Sequence, residues 1–93
     1  MSLLFEWDHK KAIRNFKKHG VSFEEATSVF GDALSSTVHD PLHSESEHRF
    51  VIVGQSIKNR VLVVVHTERD HRIRIISARL STKREIKIYE EKK

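Results

Sequence analysis

RFVIVGQSIKNRVLVVVHTERDHRIRIISARL, residues 49–80, decides the fold. Its apolar residues come in three bursts, RFVIVGQ, RVLVVVHTE and RIRIISARL, rich in the β-branched side chains that suit a pleated surface. The links at Gln55–Asn59 and Arg69–His71 are short enough for hairpins, so the three strands should be antiparallel neighbours. ALSSTVH, residues 33–39, reads as a weaker strand before them. The last burst raises a question of its own. Strict alternation puts Arg72 and Arg74 on one face, with Ile73, Ile75, Ser77 and Arg79 on the other. Arg74 and Arg79 therefore converge only if a bulge intervenes or the strand ends near Ala78.

Upstream the period is helical. LFEW, residues 4–7, can open with a short strand, and Asp8 can cap a helix that carries Ala12, Ile13 and Phe16 inward and stops at Gly20. Lys17, Lys18 and His19 then fall in its last turn, where positive charge suits the helix dipole. Ser22 and Glu25 have capping-box spacing and Val21 with Ala26 that of a hydrophobic staple, so a second helix should run to about Phe30 on a stripe of Phe23, Ala26 and Phe30. Thr82 and Glu85 offer another box, opening a final helix with Ile86 and Tyr89 on one side. The sole Pro, Pro41, lies in the loop-like HDPLHSESEH. The order is β-α-α-β-β-β-β-α: a small single α+β domain over residues 1–93, an antiparallel β-sheet with two N-terminal helices and a C-terminal helix.

A chain of 93 residues suits one domain with a small core. It has no Cys, which removes disulfides and thiolate metal sites and fits a reducing cytosol. No apolar run approaches the roughly 20 residues of a membrane span, and MSLLFEWDHKK lacks the order of a secretion signal, so the chain reads as soluble and cytoplasmic. The formal charge of +4 is unevenly placed: residues 58–87 hold nine Lys/Arg against three Asp/Glu, whereas residues 1–57 hold six against eight. A concentrated basic surface is what a polyanion needs, although an ordinary solvated face has the same composition.

Gly-rich phosphate loops, His-Glu-x-x-His and Gly-x-Ser-x-Gly are absent, which withdraws support from the chemistries they carry. His39, Asp40 and His43 form the only tight cluster of metal-ligand types, but no helix fixes their spacing and neither a metal nor a cofactor is assigned. The arginines of residues 72–79 either pair with Glu47, Glu68 or Glu85 to hold strands together or meet a phosphate, for which a planar two-pronged donor is well suited. His66, on the same face as Leu62 and Val64, is either a core or rim histidine or an acid–base group. Glu47 and Arg49 share a face of the incoming strand, where the carboxylate is either a base or an ion-pair partner. Trp7 suits the core, and Tyr89, on a terminal helix, suits contact with a partner.

In order along the chain, FEWD, KAIRNFKKHGVSFEEATSVFGD, DPLHSESEHRFVIVGQS, RVLVVVHTER and RIISARLSTKREIKIYE resemble the BrnT toxin family. The resemblance implies a RelE-like fold and the ribonuclease half of a type II toxin–antitoxin pair. It implies an RNA substrate, a BrnA-like antitoxin, and contact with operator DNA only through the antitoxin complex. A degenerate toxin that binds nucleic acid or antitoxin without catalysis is the alternative. Metal-independent RNA cleavage needs a base for the 2′-hydroxyl, cationic donors for the phosphate and an acid for the leaving oxygen. Arg79 and Arg74 are then the expected phosphate stabilisers. Arg49, Lys83, Arg84 and Tyr89 would hold RNA, and His66, His43 and Glu47 compete for proton transfer. The basic face and the helix around Tyr89 are where an acidic antitoxin is expected to dock.

Overall fold

A computed structural model describes residues 3–40 and 48–91. The three bursts are strands β3 (Arg49–Gln55), β4 (Val61–Arg69) and β5 (Arg72–Leu80), joined as antiparallel hairpins. Asp70 and His71 both take positive φ, 50° and 65°, in the two-residue turn that matches the twist of the strands it joins. Ahead of them β2 (Ser36–Asp40) pairs antiparallel with β3. The expected opening strand forms as β1 (Leu4–Glu6), but it lies parallel to β5, giving the sheet order β1-β5-β4-β3-β2. The sheet is thus antiparallel apart from one edge, a departure that local sequence does not encode.

Helix α1 (His9–His19) starts at Asp8, whose side chain accepts from Lys11 N, and ends at Gly20 in the left-handed region at φ 70°. Helix α2 (Phe23–Ser28) starts at Ser22, which accepts from Glu25 N, and tightens into a 3₁₀ turn at Val29–Gly31 instead of continuing as α-helix to Phe30. Helix α3 (Lys83–Glu90) opens on a complete capping box between Thr82 and Glu85. Val21, Phe23, Ala26 and Val29 pack on the sheet face made by Ile52, Leu62, Val64, Ile73, Ile75 and Ala78, with Phe5, Trp7, Ala12 and Phe30 around them. Gly54 is required where the turn meets β3, because a Cβ there would come within 2.8 Å of Val29 Cγ1.

Helix α1 is rotated away from the expected orientation. Ile13 and Phe16 are exposed, at 58% and 53%, and Asn15 is buried in their stead. Asn15 fixes that rotation: its Nδ2 donates to the carbonyls of Val21 at 3.0 Å and Ala78 at 2.8 Å, and its Oδ1 accepts from Ala78 N at 3.1 Å. At about 100° per residue, turning Asn15 inward carries Ile13 nearly to the opposite side. Beyond Arg74, β5 has outrun β1, and the Asn15 carboxamide takes the strand's place beside Ala78.

Candidate nucleic-acid interface

The chemistry gathers on the sheet face turned away from the core. Val65 pairs with Ser77 but His66 with Ile75, so Ile76 is an extra residue and β5 bulges there. The bulge reverses the alternation: Ala78 now joins Ile73 and Ile75 in the core, and Arg79 joins Arg74 on the outer face. Cross-strand neighbours share a face, and the register builds two rows. One runs Arg49–Thr67–Arg74–Glu6, the other Val53–Val63–Arg79. Arg49 and Arg74 lie two strand spacings apart, roughly 10 Å, with Thr67 between them.

Each arginine of β5 has an acidic neighbour. Arg79 grips Glu85 with both prongs, Nη1 to Oε1 at 2.8 Å and Nη2 to Oε2 at 3.0 Å, and Nη1 also donates to the Leu80 carbonyl at 3.2 Å. The guanidinium holds the Glu85 carboxyl down at about 2 and is itself raised by the pair. Three of its five N–H donors are thereby engaged among the described residues. Arg74 Nη1 meets Glu6 Oε2 at 3.2 Å, and Arg72 Nη1 lies 3.7 Å from Glu6 Oε1. Glu85 was among the partners the sequence suggested; Glu6 was not, because only the parallel placement of β1 brings it there.

Thr67 is a candidate that the sequence did not single out. It is 2% exposed, its Oγ1 has no hydrogen-bond partner among the described residues, and its side chain stands between two arginines. A buried hydroxyl without a partner costs stability unless something supplies one. The signal available in sequence was only a polar residue ending an otherwise apolar strand.

A model of the family described as ribonuclease toxin, BrnT, of type II toxin-antitoxin system matches residues 7–85. The chain belongs to the BrnT family. Among solved structures it is similar to the Brucella abortus ribonuclease toxin BrnT, known from a 1.1 Å crystal structure, with a TM-score of 0.64 and 19% sequence identity. The match covers 88% of this chain and 100% of that one, and at such identity it speaks for the fold. No curated protein sequence matches. The type II family carries with it an RNA substrate and a neutralising antitoxin.

The remaining expected residues of this BrnT-family chain divide three ways. Lys83 and Arg84 are exposed at the start of α3, next to Glu85 and hence to Arg79. His43 and Glu47 lie outside the described residues. His66 and Tyr89 are buried. His66 is 2% exposed on the core face, stacked on Phe50 and edge-on to Phe30, with no hydrogen bond to either ring nitrogen among the described residues. Burial lowers its pKa to about 4, so it is neutral at physiological pH and turned away from the arginines. Tyr89 is 3% exposed, and its hydroxyl donates to Asp32 Oδ2, a carboxylate that also accepts from Gln55 N at 2.8 Å. Burial, with Asp32 beside it, pushes the phenol up to about 12. Tyr89 therefore anchors α3 and offers no surface to a partner. As for metal ligands, His39 Nε2 lies 3.2 Å from His48 Nδ1, and no group of three His, Asp or Glu gathers among the described residues.

Proposed function

We propose that the chain is an endoribonuclease that cleaves RNA by attack of the 2′-hydroxyl on the adjacent phosphate without a metal, and that the outer face of the sheet holds the RNA. The observation that carries this reading is the Arg49–Thr67–Arg74 row, with a buried hydroxyl at its centre that has no partner among the described residues, and Arg79 turned onto the same face by the bulge at Ile76. Guanidinium groups donate in pairs to phosphate oxygens and remain charged throughout. Such donors, fixed in place before the reaction, favour the charge that grows on a pentacoordinate phosphorus.

In this reading Arg74 and Arg79 stabilise the phosphate, and Arg49, Lys83 and Arg84 track the strand on either side. Thr67 donates a hydrogen bond to the phosphate once the arginines that cover it move onto the phosphate and uncover the hydroxyl. Glu6 and Glu85 act as tethers that hold Arg74 and Arg79 until a phosphate draws them over. Proton transfer is assigned to Glu47 or His43, which precede Arg49 closely in sequence, and not to His66, whose ring faces the core. The activity is neutralised by a BrnA-like antitoxin, and the pair meets operator DNA through that antitoxin, within the cytoplasm.

The test is product chemistry. Purified protein incubated with RNA and EDTA should cut it and leave a 2′,3′-cyclic or 3′-phosphate end. RNA that is bound with a steep salt dependence but stays intact would replace this reading with a non-catalytic binding module. Complete inhibition by EDTA, reversed by one added metal, would replace the metal-free step.

A further inference from the structure

The exposed side of α1 is divided lengthwise. Ile13 and Phe16, with His9, form one stripe, and the groove beside it, about 410 Å³, is lined by Trp7, Ala12 and Phe23. On the other side of Ile13 come Lys10 and Lys17, roughly 40–60° around the helix, followed by Arg14, Lys18 and Lys11, all exposed. The helix contains no acidic residue. A small soluble domain gains nothing by holding Ile and Phe in water beside an open apolar groove. Such an apolar patch flanked along one side by cations marks a contact surface, with Glu24 the one acidic side chain among the residues lining the groove.

We propose that α1 is the docking surface for the antitoxin, which would lay an acidic amphipathic segment along it, apolar side chains at i and i+3 or i+4 entering the Trp7–Phe23 groove and carboxylates facing Lys10, Lys17 and Arg14. The charge on the helix selects this occupant. A second copy of the chain, itself carrying +4, would bring cations against cations. RNA would satisfy the lysines and stack a base on Phe16, but it carries no aliphatic side chains to cover Ile13 and fill the groove of Trp7, Ala12 and Phe23. The surface stands on the helix layer, on the other side of the sheet from the arginine rows, so docking there leaves the RNA face to be covered by another part of the same partner. The inference rests on the reading of the chain as an antitoxin-neutralised toxin, but not on its catalytic mechanism.

The experiment uses the full chain and the protein encoded by the neighbouring reading frame, with affinity, association rate, thermal melting and RNA cleavage measured together. Replacing Ile13 and Phe16 jointly by Ser should weaken binding by about a hundredfold, as for a central apolar anchor. Because both residues are exposed, melting and RNA cleavage should stay at parent values. Lys10→Glu with Lys17→Glu should slow association and flatten its salt dependence. Parent affinity in the Ile13/Phe16 variant overturns the inference, as does loss of RNA cleavage with affinity intact, or no binding by the parent chain. A parent chain that leaves RNA uncut while the α1 variants still lose the antitoxin removes the ribonuclease reading and keeps this one.

Discussion

Asn15 of α1 makes a two-way bond with the backbone of Ala78, accepting from its N–H at 3.1 Å and donating to its carbonyl at 2.8 Å. The next residue is Arg79. One carboxamide thus ties the helix layer to the segment of β5 that follows the bulge, on the edge that β1 no longer covers. Asn15→Leu removes the partner of three backbone groups, the Ala78 N–H and carbonyl and the Val21 carbonyl, at a cost of about 3 kcal/mol. Urea denaturation checks this; a loss below about 1 kcal/mol would mean that the edge pairs elsewhere.

A second buried polar device holds the β3–β4 turn. Glu25, 4% exposed, is gripped by Arg60 through Nε at 2.9 Å and through Nη2, and accepts from Ser56 Oγ at 2.7 Å. Arg60 foremost lowers the Glu25 pKa, with Ser56 adding to it. Removing Arg60 strands the buried Glu25 carboxylate, so Arg60→Ala should cost about 3–5 kcal/mol, well above any effect at the Arg74–Glu6 pair, where both partners are part-exposed. Equal losses at the two pairs would contradict this ranking.

Histidine 66 makes stability depend on pH in a defined window. Its folded pKa of about 4 lies below the ordinary 6.5, so the unfolded chain binds the extra proton between those values. Its contribution is complete above pH 6.5 and is lost as pH falls toward 4, on the order of 3 kcal/mol in all. Glu25 and Glu85 act lower, because their pKa values fall below the ordinary 4.5 and their stability is lost only under that pH. His66→Leu should therefore flatten the stability profile between pH 6.5 and 4.5 and leave the acid limb below it. An unchanged slope in that upper window would show that His66 is not buried neutral.

Thr67→Val separates structure from function on the arginine face. Valine keeps the shape and removes a hydroxyl that has no partner among the described residues, so the variant should fold as well as the parent or better. If Thr67 donates to a phosphate, RNA cleavage should fall about tenfold, the worth of one neutral hydrogen bond. Full activity in a stable variant would take Thr67 out of the site.

Most of the fold is written in local sequence because caps and periods act over a few residues. Asp8, Ser22, Thr82 and Gly20 end or begin helices as read, and the strands of residues 49–80 lie as the β-branched bursts indicate. What local sequence conceals depends on distant partners. Ile13 and Phe16 look like an inward stripe until Asn15 finds Ala78, and Glu6 reaches Arg74 only because β1 lies parallel to β5. Tyr89 looks like a surface aromatic on a terminal helix until Asp32, 57 residues earlier, accepts a hydrogen bond from its hydroxyl. Arg74 and Arg79 share a face through one extra residue, Ile76, that an unbroken run of strand formers cannot reveal.

The central claim is that this shared face stabilises a phosphate in transition, and the single-turnover rate of RNA cleavage by Arg79→Ala tests it most directly. Arg79 is part-exposed and its pair with Glu85 lies at the surface, so folding should be little affected. Removing a donor that acts in the transition state should slow cleavage on the order of a hundredfold, about 3 kcal/mol, with melting near the parent value. Arg79→Lys should recover only part of that rate, because it restores the charge without the fork. Cleavage at the parent rate by a folded Arg79→Ala would contradict the account.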